Sequence, residues 1–146
     1  MSTHSGADVV LLARQWLGTP YHHQASEAGV GCDCLGLVRG VWRALHGREP
    51  QLPVAYTRDW AEAAGRETML EAAMQHLVPI GRRQTAPGDV LLFRLRSGMA
   101  AKHCAIVTGA TTMIHAMEGG PVSEVALSPW WQRRIAGVFL FPGIER

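Results

Sequence analysis

The hydrophobic period of this chain changes in its second half, and that change limits the folds open to it. In the first half, apolar residues recur at helical spacing. Val9, Leu12, Ala13, Trp16 and Leu17 line one face of a helix over 7–17. Gly18 suits the left-handed position just past a helix end, and Pro20 blocks continuation. Residues 18–32 read as loop. Cys34, Leu37, Val38, Val41, Trp42 and Leu45 predict a second helix over 34–46, with Asp33 as N-cap and Gly47 as stop. Gly36 and Gly40 each weaken that helix by roughly 1 kcal/mol against Ala, which points to close packing against a neighbouring backbone. Helical spacing returns over 58–77, broken near Gly65, with Leu70, Ala73, Met74 and Leu77 inward and Pro79 as the end.

After the turn Thr85-Ala86-Pro87-Gly88-Asp89 the pattern is that of short strands. Val90–Leu95, Lys102–Thr108, Met113–Met117, Val122–Leu127 and Ile135–Phe141 make about five, with connections short enough for mostly antiparallel pairing. Helices first and strands after predict an α+β fold, with N-terminal helices packed on one face of the sheet. At 146 residues and 47% hydrophobic, the chain suits a single domain over 1–146 with one core.

The composition narrows the function. Net charge is +2, from 14 Lys and Arg against 12 Asp and Glu, with no basic run or stripe, so nucleic acid is not the expected partner. The pairs Arg82-Arg83 and Arg133-Arg134 read as solvated surface. No apolar stretch reaches membrane-spanning length, and the first residues lack a signal-peptide pattern. Three cysteines, at 32, 34 and 104, are an odd and sparse set for a disulfide scaffold and fit reduced thiols made in a cytoplasm.

One of those thiols is placed for chemistry. Cys34 opens an amphipathic helix, where unpaired N–H groups and the partial positive charge of the helix end favour a thiolate. A free thiol, with a pKa of about 8.5, needs such help and a proton acceptor at neutral pH. His103 and His115 supply candidates. With an odd-length loop centred on Gly109, the two are direct cross-strand neighbours on one face of a hairpin. A slip of one residue would put them on opposite faces. In the expected register His115 holds one ring nitrogen of His103 and leaves the other for Cys34. Cys104 alternates with His103, faces the core and has no assigned role. Cys32 stands as a bystander in the loop. Trp130-Trp131 is either an exposed docking edge or core.

Gly18-Thr19-Pro20-Tyr21, Asp33-Cys34-Leu35-Gly36-Leu37-Val38, Pro87-Gly88-Asp89-Val90-Leu91-Leu92-Phe93, Lys102-His103-Cys104-Ala105-Ile106-Val107 and Met113-Ile114-His115-Ala116 together resemble the NlpC-type cell-wall peptidases. The resemblance runs over 7–141. It implies a papain-like α+β fold with a Cys34–His103–His115 triad and no cofactor or metal. It also implies hydrolysis of peptidoglycan stem peptides between γ-D-glutamate and a diamino acid. By the same resemblance Tyr21 lines the substrate cleft, Asp33 contacts the free amine of the stem peptide as well as capping its helix, and the Cys34 N–H is an oxyanion donor. Two positions depart from the family pattern. Leu35 stands where a serine is usual, which removes a hydroxyl that could contact substrate, and Cys104 stands where an aliphatic residue is usual. The segment from Gly31 to Trp42 looks most like peptidases carried in phage tails and gene-transfer-agent particles. That implies delivery to the wall by a virion, tail-tip or baseplate partners, and a monomer in isolation.

Three rivals stay open at this point. Cys32, Cys34, His103 and His115 could in principle supply a zinc set, although Cys-x-Cys is poor spacing for one. A silent structural tail component could keep the fold without activity, with Leu35 as its one hint. Other papain-like amidases or acyltransferases act on lipids or conjugates, but no large apolar lid is visible.

Overall fold

The computed structural model describes residues 4–50, 67–81 and 85–145. In chain order the elements are β1 (His4–Ser5), α1 (Gly6–Arg14), β2 (Ser26–Glu27), β3 (Gly31–Cys32), α2 (Cys34–His46), α3 (Thr68–His76), β4 (Val78–Ile80), β5 (Val90–Phe93), β6 (His103–Val107), β7 (Thr112–His115), β8 (Ser123–Ala126), α4 (Pro129–Gln132), β9 (Ile135–Leu140) and β10 (Ile144–Glu145). The main sheet has six strands in the order β4-β9-β5-β6-β7-β8, every pair antiparallel. β1 pairs parallel with β10, and β2 pairs with β3, in two further small sheets.

The expected helices and strands are present, with several differences; Met74, expected to face inward, is exposed, and the stretch 18–32, expected as loop, holds the short strands β2 and β3. The first helix ends at Arg14, short of Leu17, which is exposed. The third spans Thr68–His76, while the part expected over 58–66, like Arg82-Arg83, lies outside the described residues. The sixth strand is β4, where Pro79 was read only as a helix stop. β4 pairs on one side alone, with Pro79 opposite Phe139, and an edge strand tolerates the missing N–H.

α2 sits tightly on its neighbours because of its glycines. A Cβ on Gly36 would overlap the Ala25 carbonyl, and one on Gly40 would overlap the Trp16 indole. The helix ends as expected at Gly47, at φ 82°. Leu37, Val38 and Val41 then meet Val90, Leu92, Cys104, Ile106 and Ile114 in the larger core.

The second face of the sheet is buried as well. Leu91, Phe93, Ala105, Val107, Met113, Leu127 and Val138 form a separate cluster there. Ile80 and Val125, from the two edge strands, and Trp131 from α4 pack against it, so this core spans the whole width of the sheet. Along β6, Cys104 and Ile106 face the helices, whereas Ala105 and Val107 face the second core. His103 shares the parity of the latter pair.

Candidate active site

Cys34 is the first residue of α2 and is partly exposed. Its helix start is fixed by Asp33, which is 3% exposed. One carboxylate oxygen of Asp33 accepts from the Gly36 N–H at 2.7 Å; the other accepts from the Gln24 N–H at 2.7 Å and lies 3.8 Å from His23 Nδ1. Asp33 therefore caps the helix and ties it to the preceding loop in one stroke. Helix geometry leaves the Cys34 N–H without an intrahelical partner, as an oxyanion donor requires.

The thiol reaches the end of β6. Cys34 Sγ is 3.8 Å from the Lys102 carbonyl oxygen, to which it can donate, at the point where β6 begins with His103 and Cys104. The thiol is held well below its ordinary pKa, first by the hydrogen bond from Cys104, then by the hydrogen bond and positive charge of His103. Cys104 is pushed well above the usual thiol range, because its proton serves the neighbouring sulfur and its site is buried. Cys32 is fully buried, and burial together with the nearby Asp33 charge pushes its thiol up to about 12. It is thus an unreactive thiol.

His103 Nε2 lies 2.8 Å from His115 Nδ1, and both rings are buried. The expected direct pairing of the two is corrected. Ile106 pairs with Ile114 and Val107 with Met113, so the hairpin is centred on Ala110 rather than Gly109. His103 and His115 are therefore staggered by two residues. A stagger of two keeps both side chains on one face, and diagonal neighbours remain within reach of long or cyclic side chains. With Nε2 committed to His115, Nδ1 is the His103 nitrogen available to Cys34. Burial, then the nearby charge of His103, pushes the His115 pKa down to about 4. At neutral pH His115 is uncharged, and its Nδ1 can accept from the Nε2–H of a His103 imidazolium.

The pair is packed by rings that sequence reasoning did not assign to the site. Trp131, partly buried on α4, lies with its ring centroid 5.5 Å from that of His103 and 5.3 Å from that of His115. Phe93, at the end of β5, stands 5.9 Å from His103 and 4.9 Å from Trp131. Trp131 thus follows the core reading, packed against the second hydrophobic cluster beside the two histidines. Trp130 is exposed and stacks under the Arg134 guanidinium at 3.7 Å, so Arg134 is not free surface either.

Tyr21 bridges to Cys32 in the strand just before the cysteine helix. With Pro20, His22, His23, Glu118 and Pro121 it lines an open cleft of about 540 Å³. Leu35 turns to a small apolar cavity of about 60 Å³ shared with Val38, Trp42, Met69, Leu92 and Cys104. Among the described residues, no three His, Cys, Asp or Glu side chains converge as a metal-ligand set, the four considered for zinc included.

A cysteine at a helix start, a histidine on a neighbouring strand and a second histidine 2.8 Å from the first, on an α+β frame, form the arrangement expected of a papain-like fold. The chain belongs to the NlpC/P60 family, whose profile matches residues 18–139. It is 28% identical over 137 residues to the Gamma-DL-glutamyl hydrolase of Bacillus subtilis, covering 93% of this chain and 29% of that protein. Among solved structures, an NlpC/P60 family protein from Bacillus cereus aligns with a TM-score of 0.66 at 19% identity, over 94% of this chain and 40% of that one. The NlpC/p60 domain of the peptidoglycan hydrolase SagA aligns with a TM-score of 0.63 at 24% identity, over 92% of this chain and 97% of that domain. The two structural matches speak for the fold. The chain spans well under half of the Bacillus proteins it matches.

Proposed function

We propose that this chain is a peptidoglycan stem-peptide endopeptidase acting through Cys34, His103 and His115, and that it cleaves the bond between γ-D-glutamate and the following diamino acid. The observation that carries this reading is the 2.8 Å pairing of His103 with His115 at the start of β6, where Cys34 Sγ lies 3.8 Å from the Lys102 carbonyl oxygen. Membership of the NlpC/P60 family and similarity to a protein named for γ-glutamyl hydrolysis support the bond type. The cleft beside Tyr21 supports a substrate-binding role for that residue. For Asp33 we retain the contact with the free amine of the stem peptide as part of the proposal. Its carboxylate already caps α2, so an incoming amine would share oxygens that the backbone occupies.

In this mechanism Cys34 gives its proton to His103 Nδ1 and attacks the amide carbonyl as the thiolate. The new C–S bond puts a negative charge on oxygen, which the Cys34 N–H and the α2 end stabilise. The C–N bond then breaks as His103 protonates the leaving amine. A water, deprotonated by His103, attacks the thioester, and the acid leaves as Cys34 regains its proton. His115 keeps the imidazole turned so that each transfer uses Nδ1. We extend the proposal to delivery by a phage-like particle, with tail-tip or baseplate partners and a monomer when free. The resemblance of the Gly31 to Trp42 segment to tail peptidases supports that extension.

The test is mass spectrometry of a diaminopimelate-containing stem peptide incubated with wild type and Cys34→Ala. Release of the L-Ala–γ-D-Glu dipeptide by wild type alone is the expected result. Cleavage by Cys34→Ala would overturn the assignment of the nucleophile, and no cleavage by either would overturn the substrate.

A further inference from the structure

We infer that Trp131 is a positioning residue for the catalytic pair, acting on His103 through its aromatic ring; this rests on the reading of Cys34 and His103 as nucleophile and base. Four rings meet at this end of the sheet. His103, His115 and Trp131 form a triangle with centroid separations of 5.0, 5.3 and 5.5 Å. His103, Phe93 and Trp131 form a second, with separations of 5.9, 4.9 and 5.5 Å. Trp131 belongs to both triangles and is the ring that touches both histidines and Phe93.

Its orientation suits two tasks. The Trp131 plane is tilted 31° from that of His103 at a centroid separation of 5.5 Å, but stands at 88° to His115, edge to face. A cation within about 6 Å of an indole centroid is attracted by the ring face, the more so when water is excluded. Trp131 therefore favours the imidazolium that His103 becomes on taking the Cys34 proton. Its bulk also covers the His103–His115 hydrogen bond, whose members are 5% and 7% exposed. A buried hydrogen bond shielded from water holds its geometry better than an open one.

The short helix is held as this role needs. Gln132 Nε2 donates to the Leu127 carbonyl at 2.8 Å. Arg134 donates to the carbonyls of Trp130 at 2.8 Å and Leu95 at 3.3 Å, and its own carbonyl accepts from the Arg94 N–H at 2.9 Å. The Arg134 guanidinium also lies over Trp130, whose ring meets Trp131 edge-on at 4.9 Å. These contacts fasten α4 to the chain leaving β5, where Phe93 stands. Among the described residues, the titratable groups facing His103 are Cys34 from α2 and His115 from β7; the faces given by β5 and α4 are the uncharged rings of Phe93 and Trp131.

The test compares wild type, Trp131→Phe and Trp131→Leu. Leu keeps apolar cover and Phe keeps a ring, and circular dichroism with thermal melts selects variants that fold. The first readout is the pH dependence of iodoacetamide alkylation at Cys34, followed by peptide mass spectrometry. It needs no substrate, so it separates a failure here from a failure of the stem-peptide assignment. Trp131→Leu is expected to move the acid limb of that profile up by roughly half to one pH unit, and Trp131→Phe to move it by less than half as much. The second readout is stem-peptide hydrolysis, where Leu should lower kcat roughly tenfold with KM changed less than twofold, and Phe should recover most of the loss. An alkylation profile for folded Trp131→Leu that superimposes on wild type would overturn the inference, as would equal losses in Leu and Phe.

Discussion

The two faces of the main sheet build their halves of the site in different ways. On the helix-covered face, backbone groups fix the proposed nucleophile: Asp33 caps α2, and Gly36 and Gly40 let the helix close on Ala25 and Trp16. On the opposite face, side chains fix the proposed base: His115 holds His103 at 2.8 Å, and Trp131 and Phe93 pack round the pair. The halves meet where α2 begins and β6 starts, at Cys34 and His103. The contrast teaches that one site can rest on two kinds of support. Damage to the first should cost folding along with function. Damage to the second should cost rate and change its pH dependence, with the fold largely retained.

The largest expected effect comes from removing the junction. Cys34→Ala should abolish turnover while the melting temperature moves by no more than a few degrees, because the change removes one sulfur at a partly exposed helix start. Next comes His115→Ala, expected to lower kcat/KM roughly a hundredfold with near-native circular dichroism. His115→Asn, whose amide oxygen can still accept from His103, should recover part of that loss in the same assay. Cys104→Ala removes the hydrogen bond that most favours the Cys34 thiolate. Alkylation of Cys34 at neutral pH should slow severalfold, roughly in line with losing one sulfur hydrogen bond, and the rate should recover as pH rises.

The helix-covered face is challenged by Gly36→Ala. Its new methyl group meets the Ala25 carbonyl, a backbone group with little room to give. A loss of roughly 1–3 kcal/mol in urea unfolding is expected. Gly40→Ala should cost less if the Trp16 indole can turn aside, so the two variants compare a rigid neighbour with a movable one.

The histidine-bearing face also predicts how stability depends on pH. His115 has a folded pKa of about 4 against an ordinary value of 6.5, because burial and the His103 charge disfavour its proton. Between those values the unfolded chain binds a proton that the folded chain refuses. The contribution of this group is fully present above pH 6.5 and is lost as pH falls towards 4. Urea melts over that window should show declining stability in wild type and a flatter slope in His115→Asn.

The halves also differed in how well the sequence disclosed them. Asp33, Cys34, Gly36 and Gly40 lie within eight residues, and capping, helix spacing and glycine packing are local properties; the cap, the helix and its close approach to its neighbours match the structure. The histidines are twelve residues apart across a turn. Their shared face was legible because strand parity survives a shift of two, but the direct pairing was not, because nothing local says whether Gly109 or Ala110 is central. Strand β4 was hidden because Pro79 ends a helix and tolerates an edge strand equally well. Trp131 was out of reach: it follows β8 in sequence, and its meeting with the histidines depends on how α4 docks on the sheet. Cys104 was correctly turned to the helix face by alternation, but its meeting with Cys34 depends on how α2 docks, which no spacing encodes.

The central claim is that the two faces are joined by charge, with the thiolate of one held by the imidazolium of the other. An ultraviolet titration of thiolate absorbance, taken as wild type minus Cys34→Ala, tests this without substrate. The account predicts a difference signal already present at neutral pH, persisting well below the ordinary thiol pKa of about 8.5 and moving up in His103→Ala. A signal that appears only near the ordinary value in wild type, or that is the same in His103→Ala, would contradict it.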